Sequence, residues 1–269
     1  MPERLARQLG PEVRQVLDLA RRLTGKEPIL KRVPRLPNDA RAMLVRPETS
    51  RNPHEIHFVR GEERVIGHLI AHEVGHLVRL YQVPEDERLM PAVTPDSRRR
   101  AAEQILPELA SLLYRGVPED ALVELFDPWY QSLCTQLASF PADLRIEAWI
   151  RERFSALRRV QQRSLLEEAG RALPLLQPEA AALTPPTIYR ANMAMNAAQA
   201  WQIAEFYSAP SIMEPFERHG FSSVGKRLAH MVLDRNDEGH RSDMQAVNEW
   251  ADELRLSGWF EWQPYTGSR

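Results

Sequence analysis

The chain has 269 residues, a length that suits one large domain or a two-lobed catalytic unit better than a minimal binding module. Its 35 basic and 37 acidic residues give a formal net charge of −2, which excludes an overall field that would attract nucleic acid or an anionic membrane surface. A single cysteine, Cys134, excludes an internal disulfide framework. Since the first residues lack the apolar core of a signal peptide and no stretch approaches about 18 consecutive apolar residues, we expect a soluble cytoplasmic protein without a direct nucleic-acid or membrane partner.

The N-terminal third combines one amphipathic helix with short extended segments. Apolar residues at three- and four-residue spacing predict a helix over residues 3–23 that ends at Gly25. A wide apolar arc over residues 62–82 predicts a second, buried helix that Pro84 closes. Between these helices, three apolar segments separated by prolines predict a small sheet over residues 28–60, namely Ile29–Val33, Arg41–Val45 and Glu55–Val59.

The remainder of the chain has a helical pattern. Its predicted helices cover residues 98–115, 119–138, 142–169, 189–207, 223–234 and 242–256. A stretch rich in proline and alanine, Leu173–Pro186, is predicted to be a linker. The sequence therefore predicts an α+β fold, with the small mixed sheet and the buried helix in a domain over residues 1–171 and a mostly helical C-terminal lobe over residues 189–269.

The predicted buried helix carries the segment His72-Glu73-Val74-Gly75-His76, and five of the eight histidines lie between His54 and His76. Histidines four residues apart share one helix face, so both imidazoles can reach one metal ion. Zinc accepts imidazole nitrogen, and a catalytic zinc keeps three protein ligands and an open position for water. Glu73 follows the first histidine, where its carboxylate can take a proton from that water. Without partners, such polar groups in an apolar helix would be strongly destabilising.

A small sheet followed by a helix with this motif resembles the zincin metallopeptidases, and the N-terminal half is most similar to the gluzincin-like ImmA/IrrE type. The resemblance covers about residues 28–160. It implies one zinc ion, a protein or peptide substrate, and a substrate that pairs with the strand before the helix, Glu55–Val59, as an edge strand. The metzincins are excluded, because Arg79 and Gln82 stand where their longer motif requires glycine and histidine.

The motif leaves the third zinc ligand open. Gluzincin-like enzymes supply a glutamate from a later helix, and the spacing in the ImmA/IrrE type favours Glu103 or Glu108. Glu147 shares its helix face with apolar residues, so its carboxylate points into an apolar stripe and needs a partner. A buried ion pair with a neighbouring arginine is one such partner, and a metal is the other. We predict that His72, His76 and Glu147 hold the zinc ion, with Glu103 and Glu108 as alternatives to Glu147.

Four other polar residues are candidates for minor roles. Asp143 lies two residues after Pro141, near a predicted helix start, and we interpret it as a capping residue, with hydrogen bonding to a ligand imidazole as the alternative. We interpret His68 as a buried, hydrogen-bonded histidine. His230 and His240 are candidates for stabilising the transition state, as some zincins use a histidine for this purpose.

These residues predict a zinc-dependent metallopeptidase that hydrolyses peptide bonds of a protein substrate, with Glu73 as the general base. The alternative is a zincin-derived regulatory or sensing module that binds metal or a partner protein without turnover. The presence of Glu73 favours the enzyme, since loss of the base is the simplest way to inactivate such a site.

Overall fold

The chain has an α+β fold, as predicted, with a small sheet near its N-terminus and helices over most of its remaining length. The structure is a computed structural model that describes residues 9–45, 47 and 52–265. Its elements in chain order are α1 (Pro11–Thr24), β1 (Ile29–Val33), β2 (Ala42–Val45), β3 (Glu55–Val59), α2 (Ile66–Leu80), β4 (Leu89–Ala92), α3 (Pro95–Tyr114), α4 (Glu119–Arg153), α5 (Arg158–Ala172), α6 (Pro178–Leu183), α7 (Pro186–Tyr207), α8 (Glu214–Arg218), α9 (Ser222–Leu233), α10 (His240–Glu253) and β5 (Glu261–Pro264).

The N-terminal elements agree closely with the sequence pattern. Gly25 ends α1 in the left-handed conformation, with φ at 77°, a geometry that glycine adopts without a steric penalty. Residues 3–8 of the predicted first helix lie outside the described residues. Helix α1 packs against α2, and both helices bury an apolar face, which places α2 in the interior.

The three strands form one mixed sheet in the order β1-β3-β2. β3 pairs in parallel with β1, from Ile29 opposite Glu55 to Val33 opposite Val59, and antiparallel with β2. The expectation that Glu55–Val59 is an edge strand is therefore wrong, because β3 is the central strand. It occupies that position because Ile56 and Phe58 are both buried, and a strand with neighbours on both sides is the most protected in a small sheet. Of the two edge strands, β1 and β2, the one next to the buried helix α2 is β2.

The long helix α4 also departs from the predicted boundaries. Helices over 119–138 and 142–169 were expected because Pro141 marks a break, but α4 runs without interruption from Glu119 to Arg153 through Pro128 and Pro141. Proline removes one helical hydrogen bond, and here the burial of the surrounding helix outweighs that loss. Asp143 therefore lies inside a helix, so its interpretation as a capping residue is wrong.

The Pro- and Ala-rich stretch is structured, with a 3₁₀ turn at Leu173–Leu176 followed by α6. Contacts divide the chain into two compact units: one has residues 1–88, 145–166 and 264–269, and the other has residues 89–144 and 167–263. The dividing line crosses α4 after Leu144, and the helix continues through it. The division into a domain over residues 1–171 and a helical lobe over residues 189–269 stays a prediction.

The second unit is a helical assembly with its own apolar core. Trp250 and Trp259 are among its largest fully buried side chains, and the indole of Trp250 donates a hydrogen bond to the carbonyl of Leu228 at 3.0 Å. Helices α7 and α9 pack closely, because Gly225 leaves room for Ala197. In the described part of the chain, no helix combines the length and apolar character needed to cross a lipid bilayer.

Candidate metal centre

Helix α2 brings two imidazoles together on one face. The Nε2 atoms of His72 and His76 lie 3.3 Å apart, and their ring centroids are separated by 5.0 Å. The opposite face of the helix is anchored by apolar side chains, with Ile70, Val74 and Leu77 fully buried. The helix is therefore fixed by packing, and the two ring nitrogens converge on one point as their spacing predicts.

Glu147 enters this site from helix α4 and contacts a different nitrogen of His72. Its Oε1 atom lies 2.8 Å from Nδ1 of His72, and both carboxylate oxygens lie 2.9 Å from Nε2 of His68. The Glu147 carboxylate is therefore shared between two histidines of α2. The interpretation of His68 as a buried, hydrogen-bonded histidine is confirmed, because it is only 3% exposed.

The surroundings of Glu147 favour its ionised form. Burial by itself would raise the pKa of this carboxyl group. The charges and hydrogen bonds of His68 and His72 act in the opposite direction and are stronger together, so the pKa lies well below its usual range. The buried carboxylate is thus a hydrogen-bond acceptor for the imidazole N–H groups around it.

One group of possible metal ligands lies within the first unit, where ligand atoms of His68, His72 and Glu147 lie within 4.8 Å of one another. The predicted trio of His72, His76 and Glu147 shares two members with this group, and its metal binding stays a prediction.

Glu73 points toward the sheet. Its carboxylate is 8% exposed, and Oε2 accepts a hydrogen bond from the backbone N–H of Leu44 at 2.7 Å. Leu44 belongs to the edge strand β2. The candidate general base is thus held by the backbone of the sheet edge that adjoins the histidine helix.

The other glutamates that were candidates for the third ligand bind elsewhere. Glu108 accepts hydrogen bonds from the backbone N–H and the hydroxyl of Thr187, at 2.9 and 2.6 Å, and so caps the first turn of α7. Glu103 forms an exposed ion pair with Arg99. Neither residue belongs to the group of possible ligands in the described part of the first unit.

The two histidines that were candidates for transition-state stabilisation have local partners. Nε2 of His240 lies 2.7 Å from the backbone carbonyl of Leu89, and Nδ1 of His230 lies 2.9 Å from the carboxylate of Asp234. Both belong to the second unit. Their participation in a reaction stays a prediction.

Sequence reasoning missed one residue of the cluster, Gln161 on α5. Its Nε2 atom donates hydrogen bonds to Oε2 of Glu147 at 2.7 Å and to the backbone carbonyl of Glu147 at 2.8 Å. A glutamine in an amphipathic helix carries no distinctive sequence signal. Its complete burial, which only the tertiary structure provides, distinguishes it from a surface residue.

Within the first unit, the imidazoles of His68 and His72 and the carboxylate of Glu147 offer ligand atoms for one cation. Such a donor set suits a divalent metal ion with nitrogen and oxygen ligands. No family model, curated protein or solved structure matches this chain. Any function assigned to it rests on these residues and their geometry.

Proposed function

We propose that the chain is a zinc-dependent metallopeptidase in which His72 and His76 hold the ion and Glu73 is the general base. The observation that carries the proposal is the hydrogen bond of 2.7 Å between the N–H of Leu44 and the carboxylate of Glu73. It joins the base of the histidine motif to a sheet edge on which a peptide can pair.

The donor set fits zinc. Zinc binds imidazole nitrogen and carboxylate oxygen, and three protein ligands are typical of its catalytic sites. Glu147 lies against Nδ1 of His72, so Nε2 is the nitrogen that would bind the ion, and it lies 3.3 Å from Nε2 of His76. When bound, zinc supplies a Lewis acid that polarises a carbonyl group and activates water.

The position of Glu73 suits a base. A carboxylate inside a protein needs a hydrogen-bond donor, and the Leu44 N–H provides one without neutralising the charge. Glu73 therefore stays available to accept a proton in the cleft and to pass it to the leaving amine.

The edge strand β2 supports a peptide as the substrate class. The N–H of Val59 in β3 donates to the carbonyl of Arg41, so the backbone groups of residues 41, 43 and 45 face β3. Those of Ala42 and Leu44 then face the opposite way, toward Glu73. A peptide that adds as a further strand to this edge would pass the base, which is the β-addition mode of recognition. In this proposal the peptide pairs with β2, whereas the sequence analysis assigned peptide pairing to β3.

The test compares zinc content and cleavage in two glutamate variants. We expect the protein, purified without chelators, to hold one zinc per chain and to cleave members of a complex peptide library, with products read by mass spectrometry. Glu73→Gln should retain zinc and lose cleavage by at least ~100-fold, since a general base contributes about that much or more. The matched control is Glu63→Gln, a surface residue paired with Arg32, which should behave as the wild type.

The outcomes separate the candidate functions. A wild-type protein that holds no zinc would contradict the proposal. Zinc that is bound without cleavage of any peptide or intact protein would favour the regulatory module. Cleavage that persists in Glu73→Gln would show that another group is the base.

A further inference from the structure

The Glu147 carboxylate is enclosed by donors from two other helices. His68 of α2 lies 2.9 Å from both oxygens, His72 of α2 lies 2.8 Å from Oε1, and Gln161 of α5 lies 2.7 Å from Oε2. Glu147 and His68 are each 3% exposed and Gln161 is fully buried. His68 and Gln161 therefore hold the carboxylate out of contact with solvent.

Gln161 fixes the conformation of Glu147 as well as its charge. Its amide Nε2 donates to the carboxylate and also to the backbone carbonyl of the same residue, at 2.8 Å. Both partners are acceptors, so only the NH₂ end of the amide can face them. The two bonds join the backbone and the side-chain end of Glu147, which restricts its side-chain torsions.

This network lowers the stability of the folded state. Among the described residues, neither Nδ1 of His68 nor Oε1 of Gln161 has a hydrogen-bond partner, although both atoms are buried. Each such atom destabilises the folded state, because it gives up its hydrogen bonds with water without gaining a partner. Apolar residues in place of the whole network, Glu147 included, would avoid that loss, so its retention indicates a role other than stability.

We infer that His68 and Gln161 are positioning residues, which lock the Glu147 carboxylate so that it holds His72 with its proton on Nδ1 and its lone pair on Nε2. The inference rests on the proposed function for its consequence, which is zinc binding by His72. A free His72 would divide between two tautomers and several ring orientations. A carboxylate fixed on three sides selects one of each before the ion arrives.

The test compares an isosteric and an apolar replacement of His68. His68→Gln keeps an N–H donor near the position of the His68 Nε2 atom, whereas His68→Leu removes that donor. We expect His68→Leu to weaken zinc binding by about 10–100-fold and His68→Gln to restore most of the affinity. Gln161→Leu should weaken binding in the same way. Zinc affinity is measured by competition with a chromophoric chelator.

A second measurement needs no metal. In the metal-free protein, long-range ¹H–¹⁵N spectra of labelled histidines should show the Nδ1–H tautomer for His72 in the wild type. The spectra of His68→Leu and Gln161→Leu should show a mixture of tautomers. The control is Val16→Ala, which opens a cavity in the buried face of α1 and should lower stability without changing the tautomer or the zinc affinity.

The two measurements distinguish failure of this inference from failure of the proposed function. If the wild type binds no zinc, the proposed function fails, and the tautomer of His72 still tests the positioning roles. If His68→Leu and Gln161→Leu leave both the tautomer and the affinity as in the wild type, the positioning roles are overturned. The positioning roles are also overturned if Val16→Ala changes the tautomer and the zinc affinity equally, because the effect would then follow from lost stability.

Discussion

A Cβ atom added to Gly75 would lie 2.5 Å from Cγ2 of Ile146, so helices α2 and α4 approach each other at a point where only glycine fits. Gly75 lies between the two histidines of the metal motif, and Ile146 directly precedes Glu147. The close approach therefore brings the acidic face of α4 within hydrogen-bond distance of the α2 histidines.

Gly75→Ala should disturb both the fold and the metal centre. A new methyl group has to displace Ile146, and over-packing of this kind costs about 1–3 kcal/mol. We expect the free energy of unfolding, measured by urea denaturation, to fall by this amount. We also expect weaker zinc binding, because the displacement moves Glu147 away from the histidines.

The matched control is Gly170→Ala in α5. Gly170 is exposed, and a Cβ atom there meets no other atom within 4 Å. Alanine favours helix by up to ~1 kcal/mol over glycine, so stability should stay equal or rise. If both variants lose stability equally, close packing at Gly75 is not the cause.

Glu147 should affect zinc binding through His72. Glu147→Gln should weaken zinc binding by about 10–100-fold and leave some binding at high zinc concentration. Zinc content after dialysis and zinc titration by calorimetry measure the loss. Complete loss of zinc binding in Glu147→Gln would instead identify Glu147 as the third ligand.

His54 should make the protein less stable in acid. Burial, with a smaller contribution from the positive charge of Arg88, lowers the pKa of His54 from 6.5 to about 4. Between these pH values the unfolded chain binds a proton that the folded chain excludes. The contribution of His54 to stability is therefore complete above pH 6.5 and is lost as the pH falls toward 4, by at most about 3 kcal/mol.

Urea denaturation of His54→Phe at several pH values measures this contribution. The variant should show a shallower decline in stability than the wild type between pH 6.5 and 4, even though it loses the hydrogen bond to the hydroxyl of Tyr265. His219→Asn, which replaces an exposed histidine, is the control and should keep the wild-type slope. Equal slopes in wild type and His54→Phe would show that His54 does not titrate in this range.

Cys134 should be inert in the folded protein. Burial raises the pKa of its thiol to about 12, although a hydrogen bond with Tyr130 partly opposes the shift. Thiolate is the reactive form, so a thiol reagent at pH 8 should modify the native protein ~1,000-fold more slowly than the denatured chain. The rate of modification is measured by the absorbance of the chromophore that the thiol reagent releases. Rapid reaction without denaturant would mean that the core around Cys134 opens readily.

Much of the local structure could be predicted, since it depends on short patterns. Alternation of apolar residues between prolines located β1 and β3 to the residue and β2 to within one, and Gly25 marked the end of α1. The continuity of α4 could not be predicted, because Pro141 is ordinarily a helix breaker and only the burial of the helix keeps it intact. The order of the sheet depends on long-range pairing, which no local pattern specifies.

The spacing of His72 and His76 was sufficient to place both imidazoles on one face, because the α-helix repeats every 3.6 residues wherever it occurs. The apolar neighbours of Glu147 likewise indicated a buried carboxylate that needs a partner. The packing of α4 against α2 decided which partner it has. The contacts of Glu147 with His72 and His68 span 75 and 79 positions of the sequence, respectively. The hydrogen bond from the N–H of Leu44 in β2 to Glu73 in α2 spans 29 positions of the sequence. Such contacts depend on how whole elements pack in three dimensions, and only the tertiary structure specifies them.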